Sequence, residues 1–428
     1  MKIVVIGAGS NSFGRGVLAD LLGAPAAGLA DLEVCLVDLS PQALDTMTRF
    51  AGMLKEHNGS AATITSTTDR TQALSGADFV ITAVSIRRMA LWEQDFRVPQ
   101  AYGVQHVLGE NGGPGALFHG LRSFELIIPI CRDIERLCPN ALLLNFTNPE
   151  SRVLHAILTL TKVKALGLCH GVFGFEHLAS RLSGVPHEHL EVTSAGLNHI
   201  FCALSVKDKR DGSEHLPRLL QMVQDDDTLG LPPLYRELAR IYDVLSYPSD
   251  DHTGEYFAFG AEFTGDKWHY GQESHAVTGE AKPDNAIVRF LRRELPIEDV
   301  AGASGELAIQ VIAALQQEQP LRVSAVNLLN TGPLISNLPA GAAVEVPALA
   351  SATGIEPLAV GALPETYAAH LRLQCDLVAT LTEGYRTRDK RLLLQALLLD
   401  PCNHRISQAR AILDDMLELQ KEYLPEFE

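Results

Sequence analysis

The stretch Lys2-Ile3-Val4-Val5-Ile6-Gly7-Ala8-Gly9-Ser10 decides the fold. A short β-branched run ends in a glycine turn. The residues that follow, from about 12 to 22, suit a helix, and 32–37 form a second apolar run ending in Asp38. Strand, glycine turn, helix, strand and acid is the order of a dinucleotide-binding βαβ unit. The glycines let the backbone approach a pyrophosphate, and the helix N-terminus favours its charge. Gly7, Gly9, Ser10 and Asp38 are therefore the first candidates for cofactor contact, with Asp38 accepting from ribose hydroxyls. The run Gly7-Ala8-Gly9-Ser10-Asn11-Ser12 lacks the third glycine of the usual fingerprint. The plain alternative is an ordinary strand-to-helix turn with a solvated Asp38.

The alternation continues outward. Segments 42–57, 117–137 and 153–160 read as helices, and 62–65, 78–84, 141–144 and 163–168 as strands. Strands alternating with helices imply a doubly wound α/β sheet, the Rossmann type. In such sheets ligands gather beyond the carboxyl ends of the strands. That gives weight to Asn145-Phe146-Thr147-Asn148-Pro149 and Cys169-His170-Gly171, each following a strand, and adds Asn145 to the cofactor candidates. Residues 191–206 look strand-like with Gly196-Leu197-Asn198-His199 inside, 342–349 β-like, and 216–244, 285–293 and 305–318 helical. Leucine periodicity from about 363 suggests long helices. We expect an N-terminal dinucleotide-binding domain over 1–195. A C-terminal α+β domain with a small sheet would cover 196–428 and pack closely on the first across a cleft.

Composition narrows the function. Across 428 residues, Lys+Arg is 35 and Asp+Glu is 52, a net charge of −17. Such a chain is a poor partner for nucleic acid or an anionic membrane. Apolar runs such as Ala141-Leu142-Leu143-Leu144 fall far short of the roughly 20 residues a membrane span needs. Hydrophobic content of 46% rules out disorder as the main state. Seven scattered cysteines, with no CxxC, read as buried thiols in a reducing compartment. The lack of a leader-like segment at the start makes cytoplasm the expectation.

Several side chains are suited to chemistry. Cys169 stands at a strand end beside His170, thirty residues before His199. A thiolate and an imidazole suit a soft or borderline divalent metal and leave positions open for substrate oxygens. The plain alternatives are an inert core thiol and a structural histidine. Tyr247-Pro248-Ser249-Asp250-Asp251-His252 places two acids and a histidine on a loop, either a solvated turn or a source of a general base. Gly109-Glu110-Asn111-Gly112-Gly113-Pro114-Gly115 lacks the ending of a phosphate loop and reads as a substrate-facing loop.

Together these motifs resemble glycoside hydrolase family 4, the NAD- and divalent-metal-dependent glycosidases. The likeness spans nearly the whole chain. It adds Ala77-Asp78-Phe79-Val80, Tyr102-Gly103, Leu121-Arg122, Cys138-Pro139-Asn140-Ala141, Asn337-Leu338-Pro339 and Val344-Glu345-Val346-Pro347 to the motifs above. Glycosidases usually work through two carboxylates, and this family is an exception. The resemblance implies another route. NAD⁺ takes a hydride from C3 of the sugar and a base removes the acidified C2 proton. The metal stabilises the enediolate and the aglycone leaves by elimination. Water then adds and NADH returns the hydride.

Carried over by motif, Cys169 and His199 are the metal ligands, with Mn²⁺ the usual metal. His170 sits at the place of the leaving-group acid, where phosphosugar-cleaving members typically have Asp or Asn. Asn148 would contact substrate hydroxyls, with Glu110 and Asn111 beside it. Asp250 is our choice of base, with Asp251, His252 and Tyr247 as alternatives. Cys-His-Gly looks more like members acting on α-linked uronic acids than like α-glucosidases or α-galactosidases. The uronate carboxylate would want a cation, and Arg87, ahead of Arg88 and Arg97, is the choice. Family members are usually dimers or tetramers, so a homodimer or homotetramer is expected. A 2-hydroxy acid dehydrogenase and an inactive NAD-binding regulator are the competing classes.

Overall fold

The computed structural model describes residues 1–10, 13–23, 26, 28–264, 286–316 and 320–428. Asn11, Ser12, Asn285 and residues 317–318 of the expected segments lie outside them. Among the described residues one sheet of eleven strands is formed: β1 (Lys2–Ile6), β2 (Glu33–Val37), β3 (Thr63–Thr67), β4 (Phe79–Thr82), β5 (Leu142–Asn145), β6 (Lys164–Gly167), β7 (Leu190–Leu197), β8 (Ile200–Asp208), β9 (Leu321–Leu329), β10 (Ala343–Ser351) and β11 (Gly354–Pro357). Its order is β3-β2-β1-β4-β5-β6-β9-β10-β7-β8, with β11 on β10.

The first six strands are parallel and in the doubly wound order. Helices cover both faces of the inner strands β1, β2, β4 and β5, which is why they read as continuous apolar runs, whereas the edge strand β3 is polar and largely exposed. Val4 and Ile6 point into the core shared with helix Gly113–Leu137, while Ile3 and Val5 point into the core on the opposite face. Strand order reverses between β1 and β4, and the crevice opens beyond their carboxyl ends. The glycine turn leaves β1 at that point.

The second half is joined to the same sheet. β6 meets β9 antiparallel at Gly167 and Asn327, and β10 meets β7 at Glu345 and Gly196. The division expected after residue 195 falls within β7, and the sheet runs on across it. The strand-like stretch 191–206 is two strands. β7 and β8 form a hairpin whose two-residue turn is Asn198-His199, paired Leu197 to Ile200. The C-terminal part is three helices, Glu365–Thr387, Lys390–Leu399 and Ile406–Leu419, packed largely on helix Gly113–Leu137 and its neighbours. The glycine-rich stretch expected as a loop is only half one. A helix starts at Gly113, and a Cβ on Gly112 would overlap the carbonyl oxygen of Glu255. The close approach is to the protein's own backbone. No helix of the described residues is long and apolar enough to cross a membrane.

Candidate active site

The glycine turn fits a dinucleotide. Gly7 has φ of +89°, a conformation that favours glycine, and a Cβ there would overlap the carbonyl oxygen of Ala83 on the neighbouring strand end. Its N–H and that of Ala8 donate to Val37 O at 2.9 and 3.1 Å. The fingerprint's third glycine, absent at its usual spacing, has its counterpart in Gly14. A Cβ on Gly14 would overlap Ala8 O, so this residue lets helix Phe13–Leu21 pack tightly on the turn. Sequence reading missed it because two more residues intervene. Asp38 accepts from Gly9 N at 2.8 Å and Ser40 N at 2.9 Å. It braces the turn as well as facing the crevice. Gly7, Gly9, Ser10 and Asp38 all line a cavity of about 580 Å³.

A second cavity of about 610 Å³ continues from the first, and Ser10, Ala83, Val84 and Ser85 line both. At its far side Cys169 Sγ lies 3.3 Å from His199 Nε2. Cys169 comes from just beyond β6, and His199 from the turn of β7 and β8. His199 has φ of +67°, uncommon for a residue with a side chain. Burial pushes the Cys169 thiol up to about 12, with the Glu345 carboxylate adding to it. Burial likewise pulls His199 down to about 3, and His252 adds to that. The imidazole is thus neutral, the form that binds metals, and a cation would displace the thiol proton.

The spacing suits the pair to one ion. At the distances known for Zn²⁺, about 2.1 Å to nitrogen and 2.3 Å to sulfur, two donors on one cation would stand about 3.1–3.6 Å apart. Among the described residues no group of three or more His, Cys, Asp or Glu is arranged to hold a metal. A cation here would have two protein ligands from that set and open positions facing the cavity.

Other expected residues divide. His170, Asn148 and Glu110 line this cavity. His170 Nδ1 is 2.9 Å from Glu306 Oε1; that bond raises the imidazole pKa more than burial lowers it. Arg87 is turned away: it hydrogen-bonds Tyr423 Oη at 2.9 Å, while its neighbour Arg88 lines the cavity, pairs with Glu110 and lies over Trp92. Asn145 is buried and is not among the lining residues of either cavity. Its amide accepts from Thr82 Oγ1 and Thr147 N and donates to Thr147 O, so it shapes the strand end. Asn111 faces Glu255, to whose Oε1 its N–H donates at 3.0 Å.

Asp250 is also placed elsewhere. Its two oxygens accept from Leu234 N and Tyr235 N, both at 3.0 Å, at the start of helix Pro233–Tyr242. Tyr247 and His252 line the cavity instead, with ring centres 5.5 and 4.9 Å from that of His199. Asp251 Oδ1 holds His252 Nδ1 at 2.9 Å. The structure adds two acids that sequence reading passed over, Glu150 and Glu306, both on the cavity wall. Glu306 follows a segment with no motif, so nothing local marked it.

Residues 2–185 match the Family 4 glycosyl hydrolase, and residues 194–402 its C-terminal domain. The chain belongs to family 4 of the glycosyl hydrolases. It is 28% identical to an alpha-glucosidase of Erwinia rhapontici over 99% of this chain and 98% of that one. It is 29% identical to an alpha-galactosidase of Bacillus subtilis over 100% and 99%. An alpha-galacturonidase of Thermoanaerobacterium saccharolyticum is 26% identical over 82% and 81%. A 6-phospho-alpha-glucosidase from gut microorganisms, solved with NAD and Mn²⁺, superposes with a TM-score of 0.86 over 100% of this chain and 99% of that chain. At 22% identity that is a likeness of fold. This family 4 chain is a glycosidase, as the motifs implied, and the dehydrogenase reading is set aside.

Proposed function

We propose that this glycosidase hydrolyses α-linked uronides with NAD⁺ and Mn²⁺ as cofactors. One observation carries the mechanism: Cys169 Sγ and His199 Nε2 meet at 3.3 Å on the wall of the second cavity, which continues from the dinucleotide crevice. When bound, the nicotinamide supplies a hydride acceptor for C3 and the cation a Lewis acid for the oxygens on C2 and C3. The chain does the rest. Gly7, Gly9, Ser10 and Asp38 hold the dinucleotide, and Cys169 and His199 hold the cation. Asn148 orients sugar hydroxyls. His170 gives a proton to the departing glycosidic oxygen.

The C2 base is His252. A base works best with a pKa near the working pH. Burial disfavours the charged imidazole of His252, but Asp251 outweighs burial and the net shift is upward from 6.5. Tyr247 is pushed up to about 12, chiefly by burial and then by Cys169. Asp251 takes Nδ1 and leaves Nε2 as the nitrogen available to accept.

Arg88 supports the uronide. It is the sole Arg or Lys among the described lining residues, in reach of one carboxylate. A neutral α-glucoside or α-galactoside is the second reading, favoured by the Glu110 ion pair that already balances Arg88. A thiol that must stay reduced suits the cytoplasm, and a homodimer or homotetramer is the assembly expected. Nitrophenyl α-glucuronide, α-galacturonide, α-glucoside, α-galactoside and their 6-phosphates, each with and without NAD⁺ and Mn²⁺, test the reading. Turnover of a uronide that needs both cofactors, with solvent deuterium entering C2, is the expected result. Turnover without NAD⁺ would overturn the mechanism, and preference for a neutral sugar would overturn the specificity.

A further inference from the structure

Resting on the reading of His170 as proton donor, we propose that Glu306 is its positioning residue. Glu306 holds Nδ1 so that Nε2 faces the glycosidic oxygen. The bond to Glu306 at 2.9 Å is the side-chain hydrogen bond that fixes the His170 ring among the described residues. A carboxylate only accepts, so Nδ1 carries the hydrogen there and Nε2 is left for the leaving group. The histidine needs such a hold: its side chain is 67% exposed, against 14% for Glu306. It heads helix Gly171–Ser183 without making a side-chain cap bond.

Glu306 is itself held from behind. Its N–H donates to Ser304 Oγ at 2.9 Å. Ser304 N donates to Asp20 Oδ1 at 2.9 Å, and the hydroxyl of Ser304 bonds the other oxygen of Asp20. A Cβ on Gly16 would come within 2.7 Å of Ser304 Cβ, and Arg15 donates to Val300 O at 3.2 Å. Arg15, Gly16 and Asp20 all lie on helix Phe13–Leu21, which follows the dinucleotide turn. The helix that follows the dinucleotide turn therefore also seats the partner of the acid.

The step balances as follows. The electron pair left by the C2 proton forms the C1–C2 double bond, and the C1–O pair departs with the aglycone oxygen. That oxygen takes the proton from His170 Nε2, and the Nδ1 proton stays against Glu306. A water adding to C1 later returns a proton to Nε2.

The test uses the full enzyme with NAD⁺ and Mn²⁺ on p-nitrophenyl, phenyl and methyl glycosides of its preferred sugar, in order of rising leaving-group basicity. General acids contribute about 10²–10⁴-fold. Glu306→Gln should lower kcat on the methyl glycoside about tenfold or more and on the nitrophenyl glycoside less than about threefold, with NAD⁺ and Mn²⁺ affinities unchanged. His170→Gln should steepen the series further. Asp20→Asn, which loosens Ser304, should steepen it less and serves if Glu306→Gln does not fold. A steep series for His170→Gln with flat ones for Glu306→Gln and Asp20→Asn overturns the role of Glu306 and leaves His170 standing. A flat series for His170→Gln overturns both.

Discussion

Asn198 donates from Nδ2 to the carboxylate of Glu345 at 3.2 Å, one residue before the proposed metal ligand His199. Asn327 donates to the same oxygen at 3.0 Å. Glu345 is buried on β10 and thereby ties the β7–β8 turn to the adjacent strands. Supporting residues of this kind typically change metal affinity 10–100-fold.

Glu345→Ala should therefore weaken Mn²⁺ binding by about 10–100-fold while leaving NAD⁺ binding within about twofold. A titration of free Mn²⁺ by electron paramagnetic resonance reads the first, and nicotinamide-site fluorescence quenching the second. Equal loss of both affinities would point to general unfolding.

Cys169→Ser replaces the thiolate by a weakly acidic hydroxyl at 3.3 Å from His199. Activity should fall at least about 100-fold with Mn²⁺ affinity, because a hydroxyl does not ionise to take the place of a thiolate. Parallel loss of metal and activity, at unchanged thermal midpoint, is the expected pattern. Full Mn²⁺ affinity in the variant would remove Cys169 from the ligand set.

Gly7→Ala would push a methyl group into Ala83 O at a backbone angle suited to glycine. NAD⁺ affinity should drop at least about tenfold, with Mn²⁺ affinity less affected, since strain at such sites is about 1–3 kcal/mol. Isothermal titration of NAD⁺ measures it.

His155 gives a pH signature away from the site. Thr382 Oγ1 donates to Val378 O, so His155 Nδ1 donates to Thr382 Oγ1 at 2.9 Å. Burial lowers the imidazole from 6.5 to about 4. The unfolded chain takes up the proton first. This contribution to stability is intact above about pH 6.5, falls as pH drops, and is exhausted below about pH 4, with a maximal slope of about 1.4 kcal/mol per pH unit. Urea unfolding at pH 7 and pH 5 should show a smaller acid-side loss for His155→Gln than for the wild type. Equal losses would remove His155 as a source.

Much of the site was legible because its parts are local. A glycine that must tolerate close backbone, an acid ending a strand, and a Cys-His pair after another strand each announce themselves within a few residues. Arg87 and Arg88 were not separable that way. Adjacent residues at a helix start point in different directions, and only packing against Tyr423 or the cavity tells them apart. Asp250 and His252 differ for the same reason, since Asp250 was drawn to unpaired N–H groups at a helix start that lies before it in the chain.

The amino-acid order alone determined the parallel half of the sheet, the place of the dinucleotide turn and the family. Those rest on apolar periodicity and short motifs, which are properties of neighbouring residues. The tertiary structure alone decided that β9 and β10 lie between β6 and β7, that the His199 turn therefore reaches Cys169, and that Glu306 stands behind His170. These contacts join residues up to 160 positions apart, as in the pairing of Gly167 with Asn327. Strand pairing and side-chain packing set such contacts, and no local pattern encodes their geometry.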